Sequence, residues 1–187
     1  MSKILTKVYL SSLLILSIIS CSTPKSSAIY QEHTQNDKTK ILIGKVKFQH
    51  LMTGTYNEWF DEQYITYKID TLTLDTLNNN PEKLNSLTFK LFFATWCEDS
   101  QKEVPRLYKI FQYLKIVSKC ELIALDRNKM EKGGNQRGLD IEYVPTLVIY
   151  QYGKEINRII ESPIETLEKD LIKITQHSSG SYIPKYK

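Results

Sequence analysis

Hydrophobic and polar positions divide this chain into stretches of different period. Val8 to Ile19 carries no charge and is almost wholly apolar or hydroxylic. It is shorter than the roughly 20 residues a spanning helix needs. With Lys3 and Lys7 before it, it has the pattern of a secretory leader over 1–20. Ser22 to Lys40 is polar, so residues 21–40 read as a flexible tether. Ile41 to Leu51 alternates loosely through Ile41, Ile43, Val46 and Phe48, which predicts a strand or an extended lead-in. Thr55 to Lys68 predicts a helix: Tyr56, Phe60 and Tyr64 fall at i, i+4 and i+8, with Trp59 and Tyr67 beside them. Core packing is the ordinary use of such a stripe, and a ligand or partner groove is the alternative. Asp70 is placed to cap a short helix carrying Leu74 and Leu77, which Asn78-Asn79-Asn80-Pro81 breaks.

From Leu87 the pattern sharpens. Leu87 to Ala94 reads as a buried strand. Glu98 to Val117 reads as a helix with Pro105 inside it, where a proline kinks the chain. Cys120 to Leu125 is a second buried strand. Asp126 to Asp140 is a polar loop containing Gly133-Gly134. Thr146 to Tyr150 and Glu155 to Ile160 form a hairpin about Tyr152-Gly153. Ser162-Pro163-Ile164-Glu165 reads as a capping box that starts a last helix with Leu167, Leu171, Ile172 and Ile174. The order predicts an α/β fold, a mixed sheet with helices on both faces. An N-terminal helical extension over 41–86 packs on a core domain over 87–176, and 177–187 is a tail.

Composition narrows the function. Net charge is +4 over 187 residues, and Lys3 and Lys7 belong to the leader. The folded part is therefore nearly neutral and carries no electrostatic footprint for nucleic acid. Mean hydropathy of −0.34 excludes a polytopic membrane protein. Seven glycines form neither G-x-G-x-x-G nor G-x-x-x-x-G-K-[ST]. Three cysteines exclude a disulfide-rich scaffold. There is no metal-ligand cluster, and no cofactor is implied. His33, His50 and His177 are not placed to pair with a cysteine nucleophile.

Two cysteines stand in chemically loaded positions. Ile18-Ile19-Ser20-Cys21 ends the leader and resembles a bacterial lipobox. That resemblance implies diacylglycerol on the Cys21 thiol, cleavage before it, and attachment to a bacterial membrane in the cell envelope, facing the periplasm. Cys97 lies where the first core strand runs through Thr95-Trp96 into a helix. At a helix N-terminus the unpaired N–H groups and the dipole favour thiolate, the nucleophilic form. Glu98 and Asp99 add opposing negative charge. Ser100 is one turn on, where its hydroxyl could donate to the sulfur.

Phe92-Phe93-Ala94-Thr95-Trp96-Cys97, Pro105 eight residues on, Val144-Pro145-Thr146 before a strand, and the Gly153 hairpin together resemble the thioredoxin superfamily. Within it, the chain is most similar to bacterial membrane-anchored thioredoxin-like lipoproteins. The resemblance covers about Leu87 to Thr175. It implies a thioredoxin-like fold, Cys97 as the attacking cysteine and Trp96 as its shield. It also implies Pro145 as a cis-proline facing the sulfur, with Val144 offering its backbone to an extended substrate.

Two departures matter. Ser100 replaces the second cysteine, giving C-x-x-S, so a mixed disulfide awaits an external thiol reductant. Leu91 stands where thioredoxins place a buried acid. Cys120 opens the neighbouring strand at the opposite end of the sheet, beyond bridging range, and reads as a small buried apolar residue. Asp126 and Arg127 end that strand on the same edge as the site; solvated loop charge is their ordinary role, and bordering the site is the alternative. The resulting expectation is a monothiol lipoprotein exchanging disulfides of envelope proteins or small molecules, of mixed-disulfide or isomerase type. The alternative is a redox-inactive binding module using the groove near Pro145.

Overall fold

The computed structural model describes residues 30–34 and 39–176. The leader, Cys21, most of the tether and the tail lie outside them. A six-stranded sheet runs in the order β1-β2-β4-β3-β5-β6. Its strands are β1 (Tyr30–Thr34), β2 (Lys40–Val46), β3 (Leu87–Phe93), β4 (Cys120–Ala124), β5 (Thr146–Gln151) and β6 (Lys154–Ile160). β3 and β4 are parallel, with Phe93 opposite Ala124. All other pairings are antiparallel.

Four short helices connect β2 to β3: α1 (Phe48–Leu51), α2 (Asn57–Thr66), α3 (Thr71–Asn78) and α4 (Pro81–Ser86). α5 (Glu98–Tyr113) joins β3 to β4, and α6 (Leu167–Gln176) closes the chain. Asp70 caps α3 by accepting the Thr73 N–H at 3.1 Å. The run expected only to break that helix also starts the next: Asn80 accepts the Lys83 N–H at 3.0 Å, and Pro81 opens α4 where its missing N–H costs nothing.

Three expectations are corrected. The tether reading fails for Tyr30–Thr34, which form β1 against β2. An edge strand is held by backbone bonds and needs no apolar alternation, so its exposed, polar residues gave no strand signal. Tyr30 alone turns inward, its ring 4.3 Å from that of His50. The last helix does not begin at the Ser162–Glu165 box. It begins at Leu167, where Thr166 Oγ1 accepts the Lys169 N–H at 3.2 Å. Asp170 reaches back to the N–H groups of Ile164 and Glu165 and holds the preceding segment non-helical. Finally, α5 ends at Tyr113 rather than Val117. Lys115 takes a left-handed φ of 58°, and the Ile116 N–H closes on Phe111 O at 2.9 Å. That is a helix stop which usually needs glycine, and lysine conceals it in the sequence.

Successive β3 residues face opposite sides of the sheet. Phe89, Leu91 and Phe93 join a cluster with Phe60 of α2, Leu74 of α3, Phe111 of α5 and Leu171 of α6. Phe92 belongs to a second cluster with Ala94, Ile123, Leu125, Val144 and Val148. The helices contribute their buried apolar side chains to the first cluster. The second is closed by Trp96, Leu139 and Ile141, from the site turn and the loop after β4. Glu131 pins that loop. Its carboxylate accepts the Gly133 N–H and both Asn135 nitrogens. Burial alone would raise its pKa, but the bonds from Asn135 and Gly133 and the charge of Lys45 outweigh burial and lower it.

Candidate active site around Cys97

The second cluster opens at the C-terminal end of β3. The chain leaves Phe93, turns through Ala94-Thr95-Trp96 and enters α5 with Cys97 as N-cap, φ −100° and ψ 124°. The turn is closed by the Cys97 N–H on Ala94 O at 3.1 Å, and α5 starts with the Gln101 N–H on Cys97 O at 2.9 Å. Cys97 is partly exposed. Its thiol donates to Val144 O at 3.1 Å, and the Val144-Pro145 peptide is cis. Residues 47 positions apart in sequence thus meet at the sulfur. Val144 is buried, and its carbonyl is turned to Cys97. Pro145 O in turn accepts the Glu161 N–H at 2.7 Å, which ties the segment after β6 to the same corner.

Ser100 does something other than expected. It is fully buried, and its Oγ accepts the Ala94 N–H at 3.2 Å. Among the described residues no hydrogen bond joins it to Cys97; the thiol's partner is Val144 O. Ser100 therefore braces the turn before the cysteine. Ser100→Ala leaves the buried Ala94 N–H unpaired and is expected to cost about 1–3 kcal/mol of unfolding free energy, read by urea denaturation.

Trp96 is held twice. Its Nε1 donates to Leu125 O at 3.2 Å, and the Arg127 guanidinium lies 5.2 Å from the ring centroid. Arg127 thus borders the site, stacked on the residue next to Cys97. Asp126 turns away into its own loop, accepting the N–H groups of Asn128 and Met130. Glu98 is exposed and Asp99 partly so, both in the first turn of α5.

Cys120 lies at the other end of the sheet. It pairs with Phe89, four positions before the Phe93 that leads to Cys97, or about 13 Å along the strand. Burial of its sulfur, then the charge of Glu121, pushes its thiol well above the usual cysteine range. At that separation it is beyond bridging range of Cys97 and cannot serve as a second active-site thiol. Leu91, at the position of the thioredoxin acid, is fully buried in the first cluster. Among the described residues no three His, Cys, Asp or Glu side chains cluster as metal ligands, and no helix is long and apolar enough to cross a membrane.

Two residues of the site escaped the sequence reading. Thr95 and Gln101 hold the turn: Gln101 Nε2 donates to Thr95 O at 2.8 Å, and Thr95 Oγ1 accepts the Leu42 N–H at 3.2 Å. The one available signal was a hydroxyl residue, Thr95, directly after the apolar run Leu91–Ala94. Of the two readings of Arg127, bordering the site or solvated loop charge, its place over the Trp96 ring favours the first.

A parallel β3–α5–β4 unit, a cysteine at the start of α5 and a cis-proline against its sulfur define a thioredoxin-fold protein of the thiol–disulfide redox class. The thioredoxin family model matches residues 68–173, more than half of the chain, and the chain belongs to that family. Mitochondrial thioredoxin-2 of Schizosaccharomyces pombe is 23% identical over 124 residues, covering 66% of this chain and 90% of that one. Among solved structures, Fasciola hepatica thioredoxin is 24% identical, covering 56% of this chain and 91% of its own, with a TM-score of 0.35. Oxidized mitochondrial thioredoxin 3 of Saccharomyces cerevisiae is 25% identical, covering 46% and 76%, with a TM-score of 0.31.

Proposed function

We propose that this protein exchanges disulfides in a bacterial cell envelope, with Cys97 as its single active-site thiol and Cys21 as its lipid anchor. The Cys97 thiolate attacks one sulfur of a protein or small-molecule disulfide. The substrate S–S bond breaks, a Cys97–substrate disulfide forms, and the departing thiolate takes up a proton. With serine at position 100, the second step belongs to another thiol. Attack by a further cysteine of the same substrate returns Cys97 unchanged and isomerises the substrate. Attack by an external thiol on the Cys97 sulfur instead frees the substrate as a dithiol and leaves a disulfide between Cys97 and that thiol; a second external thiol then releases Cys97, and the two external thiols end as one disulfide. The observation that carries this reading is Cys97 Sγ, partly exposed at the N-cap of α5 and 3.1 Å from Val144 O beside Pro145.

The test is alkylation of the full chain at neutral pH with a charged thiol reagent, read by mass at each cysteine. Cys97 is expected to react quickly and Cys120 slowly. An inert Cys97 would instead leave the fold as a binding module using the groove at Pro145.

The anchor rests on the leader and on Cys21. The protein is expected to partition with membranes, and Cys21→Ser to release or mislocalise it. Wild-type protein found wholly in the soluble fraction sinks the anchor without touching the chemistry.

A further inference from the structure

The hairpin of β1 and β2 precedes the family match, which begins at residue 68, yet it reaches the nucleophile's turn. β2 pairs with β4 over Gly44–Val46, opposite Ala124–Leu122. β4 ends at Ala124, so at Leu42 no residue of β4 stands opposite. The Leu42 N–H is nonetheless satisfied, because the Thr95 hydroxyl takes the place of the missing strand at 3.2 Å. Both residues are buried, Leu42 at 2% and Thr95 at 5% exposure. From the other side, Gln101 of α5 holds the Thr95 carbonyl at 2.8 Å. Trp96 and Cys97 follow directly.

We infer that Thr95 is a positioning residue for Cys97, and that the β1–β2 hairpin is a working part of the active site through it. This rests on Cys97 being the reactive thiol. The hydroxyl is the required feature. A β-branched apolar side chain of the same shape would leave the buried Leu42 N–H without an acceptor, and the turn would relax away from it. A small displacement at this turn moves the sulfur relative to Val144 O and the N–H groups of α5, which set its reactivity.

The experiment measures the rate of Cys97 alkylation across a pH series in the full chain, resolved by mass so that Cys120 does not contribute. Thr95→Val is expected to slow the reaction about five- to tenfold and to shift its pH–rate profile. Thr95→Ser keeps the acceptor oxygen and is expected to restore both. Gln101→Ala, which removes the bond to the carbonyl without touching the core, is expected to shift the profile in the same direction. A purely structural threonine would lower the melting temperature and leave the profile of the folded protein unmoved. A folded Thr95→Val with the wild-type profile overturns the inference while leaving the exchange chemistry standing. Should Thr95→Val not fold, a wild-type profile for Gln101→Ala overturns it. An unreactive Cys97 in the wild type overturns both.

Discussion

Cys97→Ala is expected to abolish the capture of disulfide substrates, whereas wild type is expected to accumulate them as long-lived mixed disulfides. The difference is all or none, because the step requires a sulfur nucleophile and the neighbours of Cys97 supply none. Ser100 is buried and occupied by the Ala94 N–H. Cys120 lies at the opposite end of the sheet with its thiol pushed up by burial. The lifetime of the captured species has the same origin: a serine hydroxyl does not attack the mixed disulfide, so release waits for an outside thiol. Ser100→Cys should shorten that lifetime sharply. Position 100 is on the first turn of α5, three residues after the cap, where side chains stand roughly 5–6 Å apart at Cβ, close enough to bridge with a small adjustment. The measurement is non-reducing electrophoresis of complexes trapped from envelope extract, followed over time for wild type, Cys97→Ala and Ser100→Cys. If wild type and Cys97→Ala capture alike, Cys97 is not the nucleophile and the protein is a binding module.

The parts of this architecture that were legible in the sequence are those where one residue type is nearly compelled. The apolar-rich run from Leu87 marked β3: only Thr88 and Lys90 interrupt it, and from Leu91 to Phe93 the strand is buried on both faces and carries no polar residue. The helical spacing of Val104, Leu107, Tyr108 and Phe111 marked α5, and Cys97 between the two could only be at its start. What stayed hidden was held by groups that leave little trace in composition. β1 is fixed by backbone bonds at an edge, the stop of α5 by a lysine in a left-handed conformation, and the turn at Thr95 by a hydroxyl and a backbone N–H 53 residues away. The start of α6 was misplaced because Ser162–Glu165 and Thr166 offer two capping arrangements. The choice between them is made by Asp170, whose carboxylate takes the N–H groups of the first. Ser100 was placed correctly on the first turn, yet its partner was misjudged. Periodicity shows which residues share a face but not which backbone donor that face meets.

Phe60→Ala is expected to cost about 3–5 kcal/mol of stability, the range for emptying a fully buried phenylalanine site. For a chain of this size that lowers the melting temperature by roughly 6–20 °C. Phe60 has no exposed surface. Its ring lies 5.7 Å from that of Tyr108 on α5 and 6.4 Å, stacked, from that of Tyr64. Around this contact α2 is tied to α5 by polar bonds. Arg106 donates to Gln63 Oε1 at 2.8 and 3.2 Å, Tyr64 to Gln112 at 2.7 Å, and Lys109 to the carbonyls of Tyr64 and Tyr67 at 2.7 and 2.6 Å. Those bonds lie near the surface and offset little of the loss, since water competes for them. The aromatic stripe of α2 is therefore core, and the segment before β3 is a structural part of the domain against the back of the helix that presents Cys97. Leu72→Ala is the control: Leu72 is 84% exposed, so its truncation should fall within about 0.5 kcal/mol of wild type. Urea denaturation of both variants decides the matter. A Phe60→Ala protein as stable as wild type would mean that the stripe is not core, and would return it to the reading of a groove for a partner.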